Sequence, residues 1–214
     1  MFVMKNKKVL IIAILSILLP IVFFATKNLI ASIEVSSSSK IDFVLNKSFE
    51  DTLTILITED ITKNIIEASG DEILESKIDK IHLVIDGIDP LICRGEIEKT
   101  LKVMSKSDDL EDQILILKQK IEINYDEIVS TTILVVPSEN IKQYLNVTRF
   151  RRTNSNKTAV LVEKGMTIKH ESNSKIVKRI IQSKLDQFVI ESTELAKQII
   201  KEIEKQEVLP IFGN

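Results

Sequence analysis

Val9 to Thr26 reads VLIIAILSILLPIVFFAT and carries no charged side chain. Such a run is apolar on every helical face, which a surface helix of a soluble core is not. As a helix it is roughly 27 Å long, against a bilayer hydrocarbon core of about 30 Å. It exceeds the apolar stretch of about 7–15 residues in a secretory leader. Cleavage of a leader needs small residues just before the cut, yet Phe23 and Phe24 precede Ala25, and Leu29 and Ile30 precede Ala31. No cysteine closes the run, which removes lipoprotein processing. The segment reads as a retained transmembrane helix, with Pro20 tolerated inside it. Lys5, Lys7 and Lys8 precede the helix and only Lys27 follows closely, which predicts that residues 1–8 stay in the cytoplasm and the rest is exported.

Beyond the anchor, residues 27–40 read as a stalk containing the polar run Ser36–Ser39, and residues 41–214 as one soluble domain. With 44% hydrophobic and 28% charged residues the chain can bury an ordinary core and is not disordered. Its bias toward Ile, Lys and Asn suggests an AT-rich bacterial genome. A net charge of −2 with the two signs interspersed supplies no positive field for nucleic acid. The single cysteine, Cys93, excludes an internal disulfide and leaves the compartment open.

The domain changes hydrophobic period twice. Phe49, Leu53, Leu56, Ile57, Ile61, Ile65 and Ala68 recur at helical spacing, with Ser48 as N-cap, Glu50 and Asp51 in the first turn and Gly70 as the stop. A period of two then takes over. Strands are expected at Lys80–Asp86, Gly95–Val103, Leu115–Tyr125, Thr131–Val136, Tyr144–Phe150, Ala159–Val162 and Met166–His170. Turns are expected at Asp86–Pro90 and at Asp108–Asp112. From Ser174 to Glu207 the helical period returns through Val177, Ile181, Leu185, Phe188, Leu195, Ile199 and Ile203, with Ser192–Thr193 as a place to break into two helices. The expectation is an α+β domain: an antiparallel meander with flanking helices, the last long and amphipathic. Its roughly 34 residues, about 50 Å if straight, exceed what one small sheet covers, so part of that helix is free to contact a partner or a second copy.

No stretch carries a catalytic, cofactor or metal signature. There is no Gly-x-Ser-x-Gly elbow, and His82 and His170 lack a partner motif. Cys93 follows Pro90-Leu91-Ile92 with no base in sequence, which reads as a buried thiol. Asp86 and Asp89, and the cluster Asp108, Asp109, Glu111 and Asp112, lack the spacing of a calcium loop. Zinc ligation fails on one Cys and two distant His. The most distinctive polar feature is Arg149-Phe150-Arg151-Arg152, three guanidiniums around an aromatic, suited to phosphate or carboxylate groups of a headgroup, polymer or protein. These features together point to a membrane-anchored extracytoplasmic binding or assembly protein. An envelope enzyme on a cell-wall or lipid substrate, and a carrier of small apolar ligands, are the alternatives.

Overall fold

A computed structural model describes residues 32–88, 90–107, 110–172 and 174–207. Seven antiparallel strands form one sheet in the order β1-β7-β6-β5-β4-β3-β2. The strands are β1 Ser32–Leu45, β2 Glu72–Ile88, β3 Leu91–Ser107, β4 Leu110–Ile123, β5 Glu127–Leu134, β6 Ile141–Arg152 and β7 Thr158–Glu171. Helices α1 Phe49–Thr58 and α2 Ile61–Ala68 join β1 to β2, and α3 Lys175–Glu202 follows β7. Since β1 and β2 are the two edges of the sheet, the α1–α2 connection has to cross its whole width. One face is thereby covered: Phe49, Leu53, Ile61 and Ile65 pack on Leu45, Ile123, Ile128, Phe150, Val160 and Val162 of the sheet, and on Ala196, Ile200 and Ile203 of the C-terminal helical segment.

The α+β meander with a long final helix is as the periodicity predicts, and four local expectations change. Ser36–Ser39 are not linker but the middle of β1, paired with Lys164–Thr167 of β7. Serine is a poor strand former by propensity, but a full set of pairs with β7 outweighs that. The first helix divides, because Glu59 is extended (φ −118°, ψ 141°) and Asp60 starts a new helix by accepting from the Lys63 amide at 3.2 Å. β7 runs unbroken through Gly165. α3 is a single helix of 28 residues. The hydroxyls of Ser192 and Thr193 both donate to the Val189 carbonyl, which accommodates them inside the helix instead of ending it.

The buried stripe of α3 is also rotated from the expected one. Leu185, Val189, Thr193, Ala196 and Ile200 are buried, while Phe188 is 52% exposed. α3 runs in the same direction as β1, since Gln182 Nε2 donates to the Ser36 carbonyl and, further along, the Asn46 amide donates to Glu204 Oε1, both at 2.8 Å. The expected anchor, Val9–Thr26, lies outside the described residues, as does the end of the chain from residue 208. Among the described residues no helix is long and apolar enough to cross a membrane.

Candidate functional site

Directly paired residues of neighbouring strands share a face. The register therefore lays out rows across the helix-covered face. One row is polar throughout: Lys99 on β3 pairs with Gln119, Gln119 with Thr132, Thr132 with Asn146, and Asn146 with Lys164. Gln119 is 1% exposed, Thr132 2%, Lys164 6% and Asn146 8%. The rows on either side are largely apolar. Leu101, Leu117, Leu134, Tyr144 and Met166 lie along one flank, and Ile97, Ile121 and Val162 along the other.

Gln119 Nε2 donates to Thr62 Oγ1 of α2 at 2.5 Å and to Ser130 Oγ at 2.9 Å, so its two amide protons are both engaged. Its carbonyl Oε1 is buried without a partner, as are Asn146 Oδ1 and Thr132 Oγ1. Buried polar atoms in native proteins are ordinarily paired, and an unmade bond costs roughly 1–3 kcal/mol. Gln119 and Asn146 line a cleft between α1–α2 and the sheet, walled by Leu53, Leu56, Ile57, Ile61, Ile65, Ile121 and Phe150, with about 50 Å³ of room. By the measure that allots about 10–15 Å³ to each water, that admits a few waters or one small group.

Both ends of the row are lysines, in different settings. Lys99 Nζ pairs with Asp60 Oδ2 at 3.2 Å, tying the α1–α2 junction to β3 at the rim of the cleft. Outward from Lys99 the same face carries Ile78, Ile81 and Ile85 of β2, each more than half exposed, which makes an apolar shelf beside the opening. At the other end, Lys164 Nζ donates to the Ser192 carbonyl of α3 at 2.8 Å. Burial pulls its ammonium down to about 8, and the Asp71 charge only partly opposes that. The Asp71 carboxyl is itself pushed up by burial, against bonds from Lys106, Ser105 and Ser69 and the Lys164 charge. The Tyr144 hydroxyl, desolvated and near Asp71, is raised to about 12.

The residues singled out in sequence are dispersed. Phe150 is a core side chain, 2% exposed. Arg149 and Arg151 emerge on the outer face, both toward Glu127, with Arg151 Nε at 2.7 Å and Arg149 at 3.8 Å. Arg152 returns to the helix side, where it meets Glu50, Asp126 and the Phe49 ring. Each of the three guanidiniums therefore has a carboxylate partner within the fold. His82 on β2 and His170 on β7 stand five strands apart, roughly 24 Å at about 4.8 Å per strand, and cannot share a site. The Cys93 thiol is buried, and burial together with Asp86 pushes its pKa up, away from the reactive thiolate. Asp86 pairs with Arg94 and accepts from the Tyr125 hydroxyl at 3.0 Å. Asp89, Asp108 and Asp109 lie outside the described residues. Among the described residues no three His, Cys, Asp or Glu side chains gather as a metal site would need.

Sequence reading missed the polar row, although its signal is present. Three members interrupt an inward apolar alternation at one position: Ile97-x-Lys99-x-Leu101, Leu117-x-Gln119-x-Ile121, and Val162-x-Lys164-x-Met166. Singly these are unremarkable, and only the register shows that they align.

No family model matches the chain, and no curated protein matches it. Among solved structures it is similar to the protein TTHA0849 from Thermus thermophilus, at 9% identity and a TM-score of 0.46, over 78% of this chain and 97% of that one. It is similar to the Zhui aromatase/cyclase from Streptomyces sp. R1128, at 9% identity and a TM-score of 0.47, over 80% of this chain and 95% of that one. A third, Ara h 8.0201, shares 12% identity with a TM-score of 0.40, over 80% of this chain and all of that one. Likenesses of this size assign no family and no activity to this chain.

Proposed function

We propose that the chain is a membrane-tethered domain that binds a small, mainly apolar molecule bearing an N–H or O–H donor, in the cleft between α1–α2 and the sheet. One observation carries the reading: two buried amide oxygens without partners, Gln119 Oε1 and Asn146 Oδ1, on side chains that line the cleft among aliphatic walls. Ligand sites have this make-up, apolar lining with a few placed polar groups. Both free amide oxygens accept, so the complementary group donates. The closed cleft is smaller than such a ligand, so binding displaces α1 and α2 from β3 toward the exposed shelf of Ile78, Ile81 and Ile85. The tether rests on Val9–Thr26, and the lysines before it favour an exported domain.

The aromatic amine 1-aminoanthracene supplies a donor on an apolar, fluorescent frame. Saturable, one-to-one fluorescence enhancement is expected with the full chain in detergent. Asn146→Leu should abolish it while thermal stability holds or rises, since it removes a buried unpaired atom; Gln119→Leu should abolish it too, at some cost in stability from the lost bonds to Thr62 and Ser130. Leucines that destabilise the fold and leave probe binding intact would mean that the row is structural and satisfied by water. Orientation is read separately: with Cys93→Ser and Ser36→Cys, an impermeant maleimide should label intact cells, and labelling only after lysis would reverse the assignment.

A further inference from the structure

The first three turns of α3 read KIVKRIIQSKL, with Lys175, Lys178, Arg179 and Lys184 and no acid before Asp186. Ile176 and Ile180, one turn apart on the side away from the sheet, are 71% and 53% exposed. Lys175, Lys178 and Arg179 are exposed as well and make no ion pair among the described residues. On the helix Arg179 lies about 60° from Ile176 and Lys175 about 100° from it, so these two cations flank the aliphatic pair, while Lys178, two residues from each isoleucine, stands on the opposite side. An aliphatic pair flanked by cations is the composition of a helix lying in the interfacial layer of an anionic membrane.

Chain geometry brings this face to a bilayer. Gln182 contacts Ser36, and Lys175 lies about 10 Å earlier along the helix axis. At about 3.3 Å per strand residue, the start of α3 is level with Ile33, at the entry to β1. Ser32 follows Thr26 by six residues, at most about 20 Å of extended chain. If Val9–Thr26 spans the membrane, the basic end of α3 is held within that distance of its surface.

We infer that the exposed face of α3 around Ile176 and Ile180, with Lys175 and Arg179 flanking it, docks on the anionic lipid surface beside the chain's own anchor. The inference rests on the anchor reading and does not depend on the cleft. Docking turns the helix-covered face beside β1 toward the bilayer, with β2 at the far edge of the sheet.

The test uses the full chain with Cys93→Ser, reconstituted in nanodiscs of phosphatidylcholine alone or mixed equally with phosphatidylglycerol. A bimane fluorophore is placed at Ser183→Cys, on the same outward face, or at His82→Cys on β2, and is quenched by headgroup-level nitroxide lipid. Strong quenching at position 183 is expected only in the mixed discs, and none at position 82 in either. Replacing Lys175 and Arg179 together by Gln should lower the docked-to-free ratio about thirtyfold, at roughly one tenfold step or less per cation near an anionic surface. Circular dichroism melts confirm that this variant is folded. Quenching that is equal in the two lipid mixtures, or that survives the double substitution, overturns the inference. So does shielding of position 183 without lipid quenching, which would mark contact between copies of the chain. Failure of the chain to remain in the discs after an alkaline wash would overturn the anchor reading itself, and with it the placement on which docking depends.

Discussion

Lys164 shows what a single side chain costs this fold. Its ammonium is held under α3 with the Ser192 carbonyl as partner, and burial brings its pKa from 10.5 down to about 8. The unfolded chain therefore binds more protons than the folded one between those values, so stability rises with pH across that window and the penalty is complete below it. At 1.36 kcal/mol per unit the span is worth on the order of 3 kcal/mol. Lys164→Met should be more stable than the parent at pH 7 by about 1–3 kcal/mol, with the gap closing toward pH 10.5, as followed by urea unfolding. A gap that does not vary with pH would exclude Lys164 as the source. Gly95 is the opposite case, a residue whose lack of a side chain is required. Its φ of +143° and the His82 carbonyl where a Cβ would stand leave room only for hydrogen, so Gly95→Ala should lose roughly 2–4 kcal/mol. Gly70, at φ +89° with nothing within 4 Å, should lose only about 1 kcal/mol on the same change.

At the scale of elements, α3 separates what sequence can reveal from what it cannot. Its existence and approximate span follow from the 3.6-residue period, but the face it buries does not, because Phe188 and Val189 are both apolar and adjacent. The sheet decides between them: Val189 packs with Val35 and Leu185 and is 2% exposed. Val189→Ala should cost about 2 kcal/mol and Phe188→Ala no more than about 0.5 in thermal melts; the reverse order would contradict this placement. The same limit hid the candidate site. The strand alternation was legible, yet Gln119 is conspicuous only beside Thr132 and Asn146, and pairing register is a property of three strands rather than of one. Arg149-Phe150-Arg151 is split by the same alternation, which sends the middle residue of a strand to the core and its neighbours outward. The α1–α2 junction is the element that ligand entry has to move, and Lys99–Asp60 is its tie to β3. Lys99→Met should speed 1-aminoanthracene association several-fold, because it releases the half-buried tie that holds Asp60 against β3. Unchanged stopped-flow rates would place the entrance elsewhere.

Over the whole molecule the sheet is asymmetric, and the asymmetry has a consequence for motion. The β1 edge is covered by α3 along most of its length, from Ser36 near one end to Asn46 at the other. The β2 edge is bare: most of its 17 residues are exposed, and its pairing with β3 shifts register three times. Such irregularities guard an open edge against pairing with other chains, at the expense of local stability. Ile128, Phe150, Val160 and Val162, on the strands between, hold the main core. Opening free energy should therefore fall from β6 and β7 toward β2, with the shelf beside the cleft at the low end, where a binding element has to be. Native-state hydrogen exchange read by mass spectrometry should show β2 amides exchanging through local opening well before those of β6 and β7, which require global unfolding. Saturating 1-aminoanthracene should slow exchange in α1, α2 and the neighbouring stretch of β3 while leaving the first turns of α3, before Leu185, unchanged. Protection of β2 equal to that of β6 would mean a sheet that opens only as one unit, with no gradient from core to edge.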